Sequence, residues 1–214
     1  MAMRLVLASA SPRRADLLRA AGFVFETLVV DLDERVLPGE APAAYVRRLA
    51  MEKSARALEL LVTGGAVPVR RPVPRTVRQP VPRTVVMAAD TAVVIGGKIL
   101  GKPRDDLEAA SMLRQLSGRP HEVLTGVSLR TRGRELGRVE TTVVEFSPLT
   151  EADVTWYIAS GEGRDKAGAY AIQGLASRFI PRIRGSYANV VGLPVAAVHE
   201  LVAEIASEPQ SGLF

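Results

Sequence analysis

The fold begins with the stretch Arg4-Leu-Val-Leu-Ala-Ser-Ala-Ser-Pro-Arg-Arg14. Its first half is typical of a short strand, and its second half of a serine-rich loop that leads into a helix. Ser11 suits the N-cap, and Pro12 suits the first helical position, where a missing N–H costs nothing. Arg13 and Arg14 then lie beside the positive end of the helix dipole. Backbone N–H groups, hydroxyls and two guanidinium groups at one point favour a site for a multiply charged anion; the alternative is an ordinary capped surface helix.

Length and composition favour one domain over residues 1–214, with 47% hydrophobic residues to form a core. The sequence has neither an apolar run of membrane-spanning length nor a convincing signal peptide, so we expect a cytoplasmic protein. Cysteine is absent, which agrees with a reducing compartment and excludes thiolate chemistry. His121 and His199 are far apart in the sequence, so a histidine-rich zinc site is not expected.

Positive charge is concentrated in one segment. The net charge is +5, and residues 64–84 contain five arginines and no acidic residue, so the rest of the chain is balanced. Because no aromatic residues alternate with these arginines, we expect no nucleic-acid partner. Pro-Val-Pro-Arg-Thr-Val occurs twice, at 72–77 and 80–85, and its prolines disfavour helix and central strand. We interpret 64–84 as an exposed, mobile insertion; a proline-rich ligand for a partner is the alternative.

A cluster of carboxylates follows the second predicted strand. We expect a helix over residues 12–22 and a strand from Phe23 to Val30. Asp31, Asp33 and Glu34 come directly afterwards. These three residues form either a solvated turn or a set of ligands for a hard cation.

A lysine lies on the apolar side of the clearest predicted helix, which extends from Ala41 to Val62. Tyr45, Leu49, Lys53 and Leu60 lie near one stripe of this helix at spacings of four and seven residues. The Lys53 side chain therefore either extends past the apolar face to solvent or points into a pocket shared with the first loop.

An aspartate interrupts the most apolar run of the chain. Residues 85–95 predict a strand buried on both faces, in which Asp90 needs a partner or a metal. The pair Gly96-Gly97 predicts a hairpin, and Lys102 on the returning strand is a candidate phosphate-binding cation. Pro103 then occupies the position where a P-loop needs Ser or Thr, so the GxxxxGK match is not a nucleotide-binding P-loop.

The second half of the chain predicts a further α and β framework around a glycine-rich segment. In that segment, Gly168 and Gly174 permit close backbone approach to a ligand, and the Gln173 amide suits the polar edge of a base. The predicted elements are a helix at Asp105–Leu116, antiparallel strands at Val123–Arg130 and Val139–Phe146, a helix capped by Thr150 and Asp153, and a closing helix at Val195–Ile205 with a frayed tail at 207–214.

Five short motifs carry a resemblance to a known family. They are Ser9-Ala-Ser-Pro-Arg-Arg14, Ala88-Ala-Asp-Thr91, Gly101-Lys-Pro-Arg104, Lys166-Ala-Gly-Ala-Tyr-Ala-Ile-Gln-Gly174 and Gly185-Ser-Tyr-Ala-Asn-Val-Val-Gly-Leu-Pro194. In this order they resemble the Maf family of nucleoside triphosphate pyrophosphatases, from Leu5 to Ile205. The 64–84 duplication departs from the family pattern, where this connection is shorter. The resemblance implies an α/β sandwich like that of the inosine triphosphate pyrophosphatases, with a long, twisted, mixed sheet and a central cleft.

The resemblance also implies a reaction: hydrolysis between the α- and β-phosphates of a nucleoside triphosphate, giving the monophosphate and pyrophosphate. It implies Asp90 as the general base that activates water, and Glu34 and Asp90 as ligands of Mg²⁺ or Mn²⁺. The residues that it implies as substrate-binding are Ser9, Ser11, Arg13, Arg14, Lys53, Thr91, Lys102 and Gln173. The four cations among them would offset charge on the leaving pyrophosphate.

The motif at 166–173 resembles the branch of the family that acts on dTTP and UTP, with CTP and modified pyrimidine nucleotides as further candidates. Arg13, Thr91 and Gln173 match the positions associated with this choice. Two alternatives stay open: the branch that acts on 7-methyl-GTP, and a non-catalytic regulator of cell division that acts through protein partners. We expect a nucleoside triphosphate as the partner, consider a homodimer, and expect neither nucleic acid nor a membrane.

Overall fold

A mixed β-sheet with helices on both faces forms the protein. The computed structural model describes residues 3–64 and 83–207, and the bounds below refer to these. The strands are β1 (Met3–Ala8), β2 (Glu26–Leu28), β3 (Arg83–Ile95), β4 (Lys98–Leu100), β5 (Pro120–Arg130), β6 (Glu135–Glu145) and β7 (Arg182–Arg184). The helices are α1 (Pro12–Ala20), α2 (Pro42–Thr63), α3 (Asp106–Leu116), α4 (Glu151–Ala159), α5 (Tyr187–Val191) and α6 (Val195–Ser207), with 3₁₀ segments at Ala167–Ala169 and Leu175–Phe179.

The strands of the described residues are arranged in the order β2-β1-β3-β5-β6-β7, with β4 beside the end of β3. β1 is parallel to both of its neighbours, whereas the other pairings are antiparallel. The predicted hairpin at Gly96-Gly97 is confirmed as the β3–β4 connection, with both glycines at positive φ. None of the described helices has the length and hydrophobicity of a membrane span.

β3 is the central strand, and its alternating side chains form two hydrophobic layers. Val85, Met87 and Ala89 pack in one layer with residues of α1 and α6. Val86 and Ala88 pack in the opposite layer with residues of β1, β2 and α2. Because successive side chains point to opposite faces, a strand covered on both sides must be apolar throughout. The prediction of a doubly buried strand is confirmed.

The predicted element at 23–30 is shorter than expected. Strand pairing with β1 covers only Glu26–Leu28, because β1 itself ends at Ala8, opposite Leu28. Phe23 and Phe25 still pack against the core, while Val24 is 88% exposed. The alternating pattern at 23–25 therefore reflects burial of two aromatic rings outside the strand.

The predicted insertion at 64–84 lies mostly outside the described residues, as do residues 208–214 of the predicted tail. The predicted bounds of the insertion and of the closing helix need correction. Gly64 ends α2 in the left-handed conformation, and Arg83 and Thr84 already pair with β1 as part of β3. Ser207 belongs to α6, two residues beyond the predicted end of the closing helix.

A glycine allows α2 to lie directly against the sheet. Gly126 in β5 is paired with Asp90 of β3. A Cβ at Gly126 would lie 2.3 Å from the carbonyl oxygen of Val46 in α2. Any side chain here would push the helix backbone outwards, and α2 carries Lys53. Gly126 therefore sets the distance between the helix and the sheet at the position of Asp90.

We expect Gly126→Ala to lower the free energy of unfolding by about 1–3 kcal/mol, the usual cost of overpacking. Gly133→Ala is the matched control, because a Cβ there meets no atom within 4 Å; its effect should stay below about 0.5 kcal/mol. Urea unfolding followed by circular dichroism measures both. Equal stabilities of the two variants would contradict the role given to Gly126.

Candidate active site

The hydrogen-bonded edge of β3 that faces β1 and β4 has a gap. β1 pairs with residues 83–87 and β4 with residues 93–95, so neither reaches 88–92. The opposite edge of β3 is paired with β5 throughout this region. A cavity of about 550 Å³ opens at the gap, beyond the carboxyl end of β1. Open α/β sheets bind ligands at such places, where strand ends leave a crevice.

A buried ion pair lies at the gap. Lys53 Nζ of α2 lies 2.6 Å from Asp90 Oδ1 and 2.5 Å from Glu34 Oε1. The side chains of Lys53 and Asp90 are each only 10% exposed. Such charges are tolerated only when they are paired, and removing one partner leaves the other uncompensated. Of the two orientations predicted for the Lys53 side chain, the one that points into a pocket is therefore correct.

The loop after β2 brings Glu34 to the same ammonium. Burial acts to raise the pKa of Glu34, but the hydrogen bond and charge of Lys53, together with the charges of Lys102 and Arg14, hold that pKa below its usual value. Tyr45 of α2 donates a hydrogen bond from Oη to the Glu34 carbonyl oxygen at 3.0 Å. Burial, together with the charges of Asp90 and Glu34, raises the pKa of Tyr45 to about 12, so the phenol keeps its proton as a donor. The structure thus fixes both the charge and the backbone of Glu34.

On the other face of β3, Arg14 is held by three hydrogen bonds. Its Nε donates to the carbonyl oxygen of Gly192 at 2.8 Å, Nη1 to Ser9 Oγ at 3.2 Å and Nη2 to Thr91 Oγ1 at 3.1 Å. Thr91 Oγ1 also lies 2.9 Å from Thr125 Oγ1 of β5. Burial lowers the pKa of Arg14, and the charges of Asp90 and Glu34 oppose that shift. Arg14 is thus a fixed cation, oriented before any ligand arrives.

The mouth of the cavity carries further charges. Arg13 Nη1 lies 3.5 Å from Asp165 Oδ2, and Asp165 also pairs with Lys166. Lys102 and Gln173 line the same mouth and are exposed. Cations from α1, from the segment after β4 and from the loop that contains Lys166 therefore line the same cavity.

All ten side chains implied by the resemblance line this one cavity. They are Ser9, Ser11, Arg13, Arg14, Glu34, Lys53, Asp90, Thr91, Lys102 and Gln173. Sequence positions separated by more than 160 residues thus meet at the gap in β3. Their individual roles stay predictions.

The predicted N-cap position of Ser11 is confirmed, and the structure adds detail to this loop and to the carboxylate cluster. Ser11 is the N-cap of α1 by position, but its side chain makes no capping hydrogen bond. Instead, Ser9 Oγ accepts a hydrogen bond from the Ser11 backbone N–H at 3.2 Å, and Ser9 is thereby the hydroxyl that orders the loop. Of the three carboxylates Asp31, Asp33 and Glu34, only Glu34 lines the cavity; Asp33 pairs with the exposed Arg35, and Asp31 is exposed.

Four residues with polar or charged side chains line the cavity but were given no role from the sequence: Tyr45, Asp165, Lys166 and Tyr170. Tyr45 precedes Lys53 by eight residues on one helical stripe, and this spacing could have indicated a shared target. Lys166 opens the fourth motif but received no role there. Asp165 precedes that motif, and nothing in its local sequence distinguishes it from a solvated loop residue.

The carboxylates fit a divalent cation that also binds a phosphorylated ligand. No cluster of three or more potential metal-ligating side chains occurs in residues 3–64 and 83–207. Asp90 and Glu34 nevertheless face the cavity within reach of one ammonium group. Mg²⁺ is commonly held by one or two carboxylates together with phosphate oxygens and water. The donor set therefore suits a cation that arrives with its ligand, and not an all-protein cage.

Comparison with known families identifies the chain. The family model described as Maf-like protein matches residues 4–205. The chain belongs to this family.

Relatives of this Maf-like protein are similar over nearly their whole length. A protein of Anaeromyxobacter dehalogenans (strain 2CP-C), named dTTP/UTP pyrophosphatase, is 50% identical over 206 residues, which cover 94% of each chain. Proteins with the same name from Symbiobacterium thermophilum and Neisseria gonorrhoeae are 44% and 41% identical, over 94% and 96% of this chain and 93% and 95% of theirs.

A solved structure supports the fold. The Staphylococcus aureus Ham1 protein superposes on this Maf-like chain with a TM-score of 0.51 at 12% identity, covering 94% of this chain and 99% of that one. At this identity the likeness shows the fold alone. The predicted α/β architecture with a mixed sheet and a central cleft is confirmed.

A buried aromatic cluster supports one wall of the cavity in the Maf-like fold. His121 Nε2 lies 2.8 Å from Tyr170 Oη, and the rings of His121, Phe146 and Tyr170 contact one another. His121 Nδ1 is buried without a hydrogen-bond partner among the described residues. Burial lowers the pKa of His121 from 6.5 to about 4. His121 is therefore a neutral structural residue, and Tyr170 connects it to the cavity.

This shift predicts a pH dependence of stability. Because the folded protein binds fewer protons at His121 than the unfolded chain, stability should fall as the pH drops from 6.5 to 4, by up to roughly 3 kcal/mol from this residue. His121→Phe should show a shallower decline over that interval than the wild type, and the exposed His199→Gln should not. Urea unfolding at a series of pH values measures the difference. Parallel curves for all three proteins would contradict the assignment.

Proposed function

We propose that this Maf-like protein is a nucleoside triphosphate pyrophosphatase that hydrolyses dTTP and UTP to the monophosphate and pyrophosphate. The observation that carries the proposal is one cavity in which a lysine-paired carboxylate, Asp90, faces cations from several segments of the chain. Relatives that are 41–50% identical to this chain are named dTTP/UTP pyrophosphatase, and these names support the same activity on the same two nucleotides.

The cations suit a triphosphate. Arg13, Arg14, Lys53 and Lys102 line the cavity, and three to four negative charges are a natural complement to them. We assign the fixed Arg14 and Lys53 to the phosphates nearest the reaction, because preoriented cations stabilise developing charge most effectively. Arg13 and Lys102, at the mouth, bind the outer part of the triphosphate.

Asp90 is the proposed general base. Lys53 bonds to Oδ1, and we assign Oδ2 to the attacking water. The water oxygen forms a bond to the α-phosphorus while its proton passes to Asp90. The bond from the α-phosphorus to the bridging oxygen breaks, and pyrophosphate leaves with that oxygen. The rate then depends on positioning and charge, without a covalent intermediate on the protein.

Glu34 and Asp90 are the proposed ligands of a divalent cation, Mg²⁺ or Mn²⁺. When bound, the cation neutralises part of the phosphate charge. The lowered pKa of Glu34 keeps this carboxylate ionised and available as a ligand near neutral pH. Gln173, an exposed residue that lines the cavity, is the proposed contact to the polar edge of the base.

A substrate panel tests the proposal. With Mg²⁺ or Mn²⁺, we expect pyrophosphate release from dTTP and UTP well above that from 7-methyl-GTP, ITP and XTP, with CTP as a further pyrimidine candidate. A chelator should abolish release, and added cation should restore it. Preferred turnover of 7-methyl-GTP would contradict the pyrimidine assignment. No turnover of any nucleotide would contradict the enzyme proposal, and full activity with chelator would contradict the role of the cation.

Asp90→Asn tests the base. The amide keeps an oxygen for Lys53 but cannot accept the proton, so kcat should fall about 10²–10⁴-fold while the fold is retained. Asp33→Asn is the control, because Asp33 is exposed and pairs with Arg35 outside the cavity. Rates from pyrophosphate release and folding from circular dichroism are compared. Unchanged turnover in Asp90→Asn would remove Asp90 from this role.

A further inference from the structure

Gln173 lies near the tip of a tight turn. The backbone N–H of Gly174 donates to the Ala171 carbonyl oxygen at 3.1 Å, which closes a four-residue turn with Ile172 and Gln173 at its centre. The 3₁₀ segment Leu175–Phe179 follows directly. The Gln173 side chain is therefore placed by the two ends of this turn.

Glu162 holds the end of the turn that follows Gln173. Its Oε1 accepts a hydrogen bond from the Leu175 N–H at 2.9 Å, and its Oε2 accepts one from the Ala176 N–H at 3.4 Å. A Cβ at Gly174 would lie 1.9 Å from Glu162 Oε1, so only glycine fits between the turn and the carboxylate. The start of the 3₁₀ segment is thus fixed by a charged acceptor.

Tyr157 of α4 holds the end that precedes Gln173. Its hydroxyl accepts a hydrogen bond from the Ala171 N–H at 3.1 Å and donates one to Glu162 Oε2 at 2.7 Å. Tyr157 is 1% exposed, and burial, followed by the hydrogen bond to Glu162, raises its pKa, so it keeps the proton that it donates. Both ends of the turn are therefore tied to one hydrogen-bonded pair.

Neither Glu162 nor Tyr157 lines the cavity, whereas Ala171, Ile172 and Gln173 do. We propose that Glu162 and Tyr157 are positioning residues that set the place of Gln173 and thereby the recognition of the base. This inference rests on the proposed function, because it takes Gln173 as the contact to the base of dTTP and UTP. The pair acts only through the turn and makes no contact with the phosphates.

The test compares Glu162→Gln and Tyr157→Phe with the wild type, using UTP as substrate and inorganic tripolyphosphate as a competitive inhibitor that has no base. Each variant should raise KM for UTP about tenfold, in line with the loss of a positioned hydrogen bond to a substrate. Both kcat and the Ki of tripolyphosphate should change by less than about twofold, because the phosphate contacts are untouched. In a Gln173→Ala background, neither substitution should raise KM further.

Glu151→Gln is the matched control, since Glu151 lies on the same helix α4 and only pairs with the exposed Arg114. Glu151→Gln should leave KM for UTP and the Ki of tripolyphosphate unchanged. Circular dichroism on every variant measures the folded fraction, and Tyr157→Phe, which removes a single oxygen, provides the test if Glu162→Gln does not fold.

The outcomes separate the two proposals. A wild type that releases no pyrophosphate from UTP would overturn the proposed function and this inference with it. If the wild type is active and neither substitution changes KM for UTP, that result would overturn this inference alone. So would a parallel rise of KM and of the tripolyphosphate Ki, or an undiminished effect in the Gln173→Ala background, because either result means that the pair acts on more than Gln173.

Discussion

The ammonium of Lys53, held between Asp90 and Glu34, is the interaction on which the rest of the site depends. Burying these charges has a desolvation cost that a hydrophobic replacement would avoid, so fold stability alone does not explain them. The surrounding structure accommodates the pair at several points. Gly126 lets α2 approach the sheet beside Asp90, and Tyr45 fixes the backbone of Glu34. A displacement of α2 would therefore disturb the ion pair and the loop that carries Glu34 together.

The gap along β3 explains why neighbouring residues have different surroundings. Asp90 points towards α2 and meets Lys53, while Thr91 points to the opposite face and meets Arg14 of α1. Strand alternation makes this division unavoidable for consecutive residues. Because neither β1 nor β4 covers this stretch, both faces open into the same cavity. One short segment of one strand therefore brings a carboxylate from one layer and a fixed cation from the other to one cavity.

The sequence predicted most of the elements and many of the residues that line the candidate site, but it did not predict β7, α5 or the contacts between elements. An aspartate within an apolar run indicated a buried charge at Asp90, and helical spacing placed Lys53 on the inner stripe of α2. The gap in the ladder could not be predicted, because it depends on where β1 and β4 end relative to β3. The role of the Ser9 hydroxyl as an acceptor in this loop likewise involves tertiary contacts, since the Arg14 guanidinium that donates to Ser9 also donates to the carbonyl oxygen of the distant Gly192. Capping propensity describes an isolated helix end and contains no such information.

The cations of the cavity differ in how firmly they are held, and this difference bears on the proposed reaction. Arg14 and Lys53 are tied to groups of the protein by short hydrogen bonds, so they need little reorganisation when charge develops on a phosphate. Arg13 makes a 3.5 Å ion pair with Asp165, whose side chain is 70% exposed, and such exposed pairs contribute little energy. A phosphate at the mouth can therefore replace the Asp165 carboxylate at small cost. In the proposed reaction, the firmly held Arg14 and Lys53 would stabilise the reacting phosphate, and the loosely held Arg13 would capture and release the nucleotide.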